Sequence, residues 1–189
     1  NAYFFEYHSV FNFDNDKMPQ YVKLETALGS YSFPTEYVEI GNYIGDYFCS
    51  IGREEYAKQF LLDQFSMKLQ SLERTYIDKV FALCDYYIQR KSKRYSRHLY
   101  DIYMLTPLMS FDTYFKRLVE EIRLHRQSMP NCPSAQEGVS IVKLVKEFCR
   151  NDFYKEDYLS ITSYFTNHPI NYNAVIDNLL GVLGEGAFL

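Results

Sequence analysis

Two helical patterns separated by a dense basic turn occupy Leu72–Leu105, and this segment constrains the fold more than any other part of the chain. Apolar residues recur at helical spacing through the first pattern. They are Tyr76, Ile77, Val80, Leu83, Cys84, Tyr87 and Ile88. The second pattern follows Ser96, a residue type that commonly caps helices, and Pro107 ends it. The segment therefore predicts two helices joined by a turn.

The turn itself, Arg90–His98, has the sequence RKSKRYSRH and concentrates five Arg or Lys residues beside a histidine. A solvated loop between helices is one interpretation of such a run. The other is a surface for phosphate groups, which form strong charge-assisted contacts with Arg and Lys. Arg97 and Asp101 are four residues apart, so they share one helix face and can pair.

Lys79 lies in the first helix, close to its apolar stripe rather than opposite it. A lysine in such a position often extends its ammonium group to solvent along the apolar surface. The alternative is a lysine directed at a phosphate group.

Composition limits the classes of protein that the chain can represent. Its net charge of −4 excludes a globally basic nucleic-acid-binding protein, so any contact with nucleic acid must be local. No apolar run approaches the length needed to span a bilayer, and four scattered cysteines show no metal-binding spacing. We therefore expect a cytoplasmic protein without a membrane partner.

The rest of the chain predicts an α+β fold, with a small antiparallel or mixed sheet followed by a helical bundle. Predicted strands are Tyr3–Phe13, Tyr21–Leu28, Glu36–Ile40 and Met67–Leu72. The first two alternate in polarity and predict a β-hairpin. From Glu73 onward the patterns are helical, so we expect a sheet portion at 1–72 and a helical domain at 73–189.

The two helices of the opening segment resemble a known family. The matching residues are Glu73-Arg74-Thr75-Tyr76-x-x-Lys79-x-x-Ala82-Leu83 and Ser96-Arg97-His98-x-Tyr100-Asp101-x-Tyr103-x-Leu105. They are similar to the motifs of the AbiEii/AbiGii nucleotidyltransferase toxins, which are bacterial abortive-infection proteins of type IV toxin–antitoxin systems. The resemblance covers Val22–Leu105 and fades in the C-terminal helices.

This resemblance implies half of a polymerase-β-like core and an enzyme that transfers NMP from an NTP to an RNA acceptor, tRNA in relatives. It implies catalytic roles for Lys79, on the triphosphate, and for Asp101, which supports the site. Phosphate-binding candidates are Arg74, Arg94, Arg97 and His98. Mg²⁺ is the implied cofactor, with Glu25 as a candidate ligand, although a strand acid in this position commonly just faces solvent. A cognate antitoxin is the implied protein partner.

One part of the family pattern is missing. The family carries a Gly-Ser or Gly-Gly turn followed by a strand with D-x-D, and here Asp14-x-Asp16 has the letters without the glycine turn. The chain also begins Asn1-Ala2, without Met. We therefore expect a C-terminal portion of a longer protein that is inactive alone.

The spacing of Lys79 and Asp101 leaves their contact open. If the two helices formed a straight antiparallel hairpin, the residues would miss each other by about 10 Å along the axis. The alternative function is a non-catalytic helical module that binds RNA or a protein through Arg90–His98.

Overall fold

A computed structural model describes residues 1–8, 20–26, 33–166 and 168–188, and its α+β arrangement confirms the predicted fold class. Contacts divide the chain into two compact units, Asn1–Tyr31 and Ser32–Leu189. The division into a sheet portion at 1–72 and a helical domain at 73–189 stays a prediction.

The first unit contains the predicted β-hairpin. Strand β1 (Ala2–Glu6) pairs antiparallel with β2 (Tyr21–Glu25), and Ala2 lies opposite Glu25. Both strands are exposed throughout their described length. The remaining parts of the two predicted strands, at 9–13 and 27–28, lie outside the described residues, and so does Asp14-x-Asp16.

The second unit opens with another antiparallel pair, formed by β3 (Thr35–Ile40) and β4 (Phe65–Gln70). Both strands were expected, although β4 begins and ends two residues before the predicted range. Two short helices lie between them in sequence: α1 (Tyr43–Ser50) and α2 (Glu54–Gln59). The segment that forms α1 was ambiguous in sequence, and Asn42 begins it by accepting a hydrogen bond from the backbone of Gly45 at 2.8 Å.

The remaining helices follow from Leu72. They are α3 (Leu72–Ile88), α4 (Arg97–Leu105), α5 (Thr113–Gln127), α6 (Ile141–Arg150), α7 (Lys155–Asp157, continued by a π-helical turn over Tyr158–Thr162) and α8 (Tyr172–Gly184). Asp112 and Asn171 cap α5 and α8 by accepting hydrogen bonds from backbone N–H groups of the first turn. None of the helices in the described ranges combines the length and apolarity needed to cross a membrane.

Helix α3 supplies much of the core, which confirms the predicted apolar stripe up to Tyr87, whereas Ile88 is 38% exposed. Around it pack side chains of α4, α5, α6 and α8. All four cysteines are free, and Cys84, Cys132 and Cys149 are buried. Burial raises the pKa of the Cys149 thiol to about 12, so this cysteine acts as a small apolar side chain rather than as a nucleophile.

Candidate active site between the two motif helices

The basic turn folds back along α3 before α4 begins. Tyr95, near the end of the turn, stacks on Tyr86 with ring centroids 3.5 Å apart. Tyr86 lies two residues before the last residue of α3, and the ring of His98, in the first turn of α4, is parallel to it at 6.2 Å. Helix α4 therefore starts level with the body of α3 and not beyond its end.

This arrangement brings Lys79 and Asp101 into direct contact. The Lys79 Nζ lies 2.7 Å from Asp101 Oδ2, and the two side chains are 22% and 38% exposed. The straight-hairpin estimate, which separated them by about 10 Å, is wrong for this molecule. Lys79 lies about 10 Å back along α3 from Tyr86, and Asp101 lies about 6 Å along α4 from its first residue, Arg97. The long lysine side chain closes the remaining gap.

His98 borders this pair without joining it by a hydrogen bond. Its Nδ1 lies 4.0 Å from Asp101 Oδ2 and, among the described residues, this buried atom has no hydrogen-bond partner. Burial lowers the pKa of His98 to about 4, helped by the nearby charges of Lys79 and Arg97 and opposed by Asp101. The imidazole is therefore neutral near pH 7, and it can offer a phosphate a hydrogen bond but no charge.

Arg94 and Arg97 are both exposed, and the charge of Arg97 is close enough to His98 to help lower its pKa. The expected pairing of Arg97 with Asp101 is not observed among the described ion pairs, because the Asp101 carboxylate turns toward Lys79 instead. Arg94 has a φ of +68°, in the left-handed region that non-glycine residues rarely adopt. Both arginines thus leave their guanidinium groups available to a ligand in solution.

The turn that carries these arginines is fixed and is not a loosely solvated loop. Asp157 accepts hydrogen bonds from the backbone N–H groups of Arg94, at 2.7 Å, and Ser96, at 3.1 Å. The Ser96 and Thr162 hydroxyls are 2.6 Å apart. Ser96 occupies the predicted cap position of α4, but its side chain makes no capping bond because its hydroxyl is used by Thr162.

Arg74 departs from its predicted role as a phosphate ligand. Its side chain is 4% exposed, and its Nε lies 2.7 Å from Asp78 Oδ2. One Nη donates to the Phe33 carbonyl oxygen at 2.9 Å. Arg74 therefore joins the start of α3 to the segment before β3, and its guanidinium is committed to protein groups.

A buried ionic network on α3 was missed by the sequence analysis. Arg126 of α5 donates to Asp78 Oδ1 at 2.9 Å and to Asp85 Oδ2 at 2.7 Å. Asp85 also accepts from the Ser134 backbone at 2.8 Å. Burial alone lowers the pKa of Arg126, but its hydrogen bond to Asp85 and the nearby negative charges outweigh it, so the pKa is raised. Two acids seven residues apart on a largely apolar helix, Asp78 and Asp85, were the available signal.

Glu25, the candidate metal ligand, lies in β2 of the first unit, where its Oε1 is 2.7 Å from Lys23 Nζ. Within the ranges that the structure describes, no group of three or more His, Cys, Asp or Glu side chains is arranged to hold a metal ion.

The two motif helices thus hold a lysine and an aspartate in direct contact on a partly exposed surface. A sequence model of the nucleotidyltransferase AbiEii toxins of type IV toxin–antitoxin systems matches residues 1–171. The chain therefore belongs to the AbiEii family, which implies an NTP substrate and an antitoxin partner. The match extends beyond Val22–Leu105 into the C-terminal helices, so the similarity is longer than the motifs alone indicated. No curated protein and no solved structure gave a significant match.

Proposed function

We propose that this chain carries the substrate-binding part of a toxin that transfers NMP from an NTP to an RNA acceptor, with tRNA as the acceptor. The observation that carries the proposal is the contact of Lys79 Nζ with Asp101 Oδ2 at 2.7 Å. The two residues come from different motifs, 22 positions apart, and meet on a partly exposed surface.

In this proposal Lys79 binds the triphosphate. Nucleotidyl transfer breaks the bond between the α- and β-phosphates while a hydroxyl oxygen of the RNA forms a new bond to the α-phosphorus. Negative charge then accumulates on the departing pyrophosphate, and an ammonium group placed beside it stabilises the transition state. Because the Lys79 side chain is long and flexible, it needs a partner that holds it in place.

Asp101 supplies that partner and is a positioning residue. Its carboxylate fixes the ammonium group at the junction of α3 and α4 before any substrate arrives. The neutral His98 ring on one side limits the space in which the carboxylate can move. Pre-organisation of this kind lowers the cost of ordering the lysine when the triphosphate binds.

Replacement of Lys79 by alanine tests the proposal. Lys79→Ala should lower the incorporation of labelled NMP into RNA at least ~100-fold, the scale of losing one transition-state donor. The matched control is Lys146→Ala, which removes another helical, exposed lysine and should leave the rate unchanged. Undiminished transfer by Lys79→Ala would remove this lysine from the mechanism.

The assay should use the product of the complete reading frame beside the 189-residue chain. The 189 residues contain no glycine turn followed by a D-x-D strand. We therefore expect weak transfer from this chain alone. Equal rates from both proteins would contradict that expectation.

We assign the RNA acceptor to the surface formed by Arg94 and Arg97. Both side chains are exposed on a turn whose backbone is held by Asp157, so binding RNA would require little ordering of the protein. Arg94→Ala/Arg97→Ala should weaken RNA binding about 10-fold at low salt and reduce the salt dependence by roughly two released ions.

The control for this double variant is Arg117→Ala/Arg150→Ala, which makes the same change in net charge on α5 and α6. Equal effects of the two double variants would indicate a general charge effect and contradict a site at the turn. The alternative function, a non-catalytic RNA-binding module, predicts that RNA binding depends on the turn while no transfer occurs in either protein.

A further inference from the structure

A cavity opens on α3 beside the candidate active site. Its volume is about 330 Å³, and the residues that line it are Ala82, Asp85, Tyr86, Gln89, Lys91, Arg126 and Asn131. We propose that this cavity holds the nucleobase of the NTP whose triphosphate Lys79 binds. This inference rests on the proposed function and specifies where the rest of the substrate lies.

The position of the cavity along α3 fits such a ligand. Lys79, Ala82 and Tyr86 are spaced i, i+3 and i+7, so they lie along one face of the helix. Seven residues of helix span about 10 Å, which is comparable to the distance from the terminal phosphates to the base in an extended NTP. A triphosphate at Lys79 therefore places its base beside Tyr86.

The lining of the cavity favours an uncharged polar ligand over a second phosphate. The opposite charges of Asp85 and Arg126 are paired with each other at 2.7 Å. Lys91 donates to the side-chain carbonyl oxygen of Gln89 at 2.8 Å. The side-chain amides of Gln89 and Asn131 offer both donors and acceptors, which is what the edge of a nucleobase requires.

Arg126, one of the residues that line this cavity, has a nitrogen for which the described residues supply no hydrogen-bond partner. The Nε of Arg126 is buried and, within the described part of the chain, has no hydrogen-bond partner, although both other nitrogens of the guanidinium are bonded. Buried polar atoms are rarely left without a partner.

Ala82 is the residue through which the cavity can be tested. It is part of the first family motif, and its methyl group leaves the space that a larger side chain would occupy. Ala82→Leu should fill part of the cavity and weaken NTP binding at least ~10-fold, while binding of inorganic tripolyphosphate stays unchanged. Lys79→Ala should weaken the binding of both probes. Calorimetric titration of the purified chain measures both.

A second variant guards against a folding defect. Gln89→Ala removes one amide without adding volume, and it should weaken NTP binding about 3- to 10-fold with unchanged tripolyphosphate binding. If both variants bind NTP like the wild type, the cavity does not hold the base and the inference is overturned. If they weaken RNA binding instead, the cavity holds a base of the acceptor, which also overturns it. If neither probe binds the wild type, the proposed function itself fails.

Discussion

Helix α3 carries two ionic groups that differ in depth and in connectivity. The first is the network of Asp78 and Asp85 with Arg126, in which Asp85 is 5% and Arg126 14% exposed in their side chains. The second is the pair of Lys79 with Asp101, which is 22% and 38% exposed. The carboxylates of the network also accept hydrogen bonds from other protein groups, among them the backbone N–H of Ser134, whereas the Lys79–Asp101 pair is partly exposed to solvent.

The difference separates a structural role from a candidate catalytic one on the same helix. A buried charge without its partner is costly, so the network holds α3 against α5. A partly exposed pair contributes little to stability, and the Lys79 ammonium keeps donors for a ligand while Asp101 holds it in place. The lysine of the pair is thus available to a phosphate, whereas Arg74 and Arg126 are not.

Loss of Asp85 should have the largest effect on stability. Asp85→Ala leaves Arg126 with one fewer carboxylate and the buried N–H of Ser134 without its acceptor. We expect the free energy of unfolding to fall by about 3–5 kcal/mol, as measured by urea denaturation. The control is Asp177→Ala, which removes an exposed acid of α8 and should change stability by less than about 0.5 kcal/mol. A loss below about 1 kcal/mol for Asp85→Ala would abolish the distinction between the two groups.

The pH dependence of the free energy of unfolding should show whether His98 is buried in its neutral form beside the Lys79–Asp101 pair. His98 has a pKa of about 4 in the folded protein, below its ordinary 6.5. As the pH falls, His98 is therefore protonated in the unfolded chain before it is protonated in the folded protein. The folded state loses stability between about pH 6.5 and 4. The loss from His98 should be about 2–3 kcal/mol and should be absent in His98→Gln.

Urea denaturation at pH 7 and at pH 4.5 measures this loss, and the comparison is of the change with pH rather than of absolute stability. His168→Gln, which replaces an exposed histidine, is the control and should keep the wild-type change. An equal change with pH in His98→Gln and the wild type would show that the ring is not buried neutral beside Lys79.

Removal of the Asp101 charge should have the smallest effect on the free energy of unfolding, and its main effect should be on catalytic activity. Asp101→Asn keeps the shape of the side chain but weakens its hold on Lys79, so kcat for NMP transfer should fall about 10- to 100-fold, or about 1.4–2.7 kcal/mol. Stability should change by less than about 1 kcal/mol. Asp101→Glu should recover part of kcat. If Asp101→Asn destabilises the protein as strongly as Asp85→Ala, the pair is structural and the comparison fails.

The sequence was sufficient to predict the helices that bury an apolar stripe. Tyr76, Val80 and Leu83 recur at helical spacing, and burial of that stripe is the main source of stability for a helix in a protein. The hairpin was also predictable, because its strands alternate in polarity. Helix α1 was not, since Tyr43 and Tyr47 are exposed and its short pattern is weak.

The sequence predicted which residues belong to the candidate site, but it did not predict that they are in contact. The motifs identified Lys79 and Asp101, but their contact depends on the return of the turn along α3, which Tyr95 fixes by stacking on Tyr86. The spacing of residues within each helix carries no information on whether the turn folds back along α3. The partners of Arg74 were hidden for the same reason, because one of them, Phe33, lies 41 positions away.

The hydrogen bonds of Asp157 have a consequence for the order in which the protein is built. They join the turn at Arg94 and Ser96 to a residue 63 and 61 positions later in the chain. During synthesis, the turn can acquire these two bonds only after the 61 residues that follow Ser96 have been added to the chain.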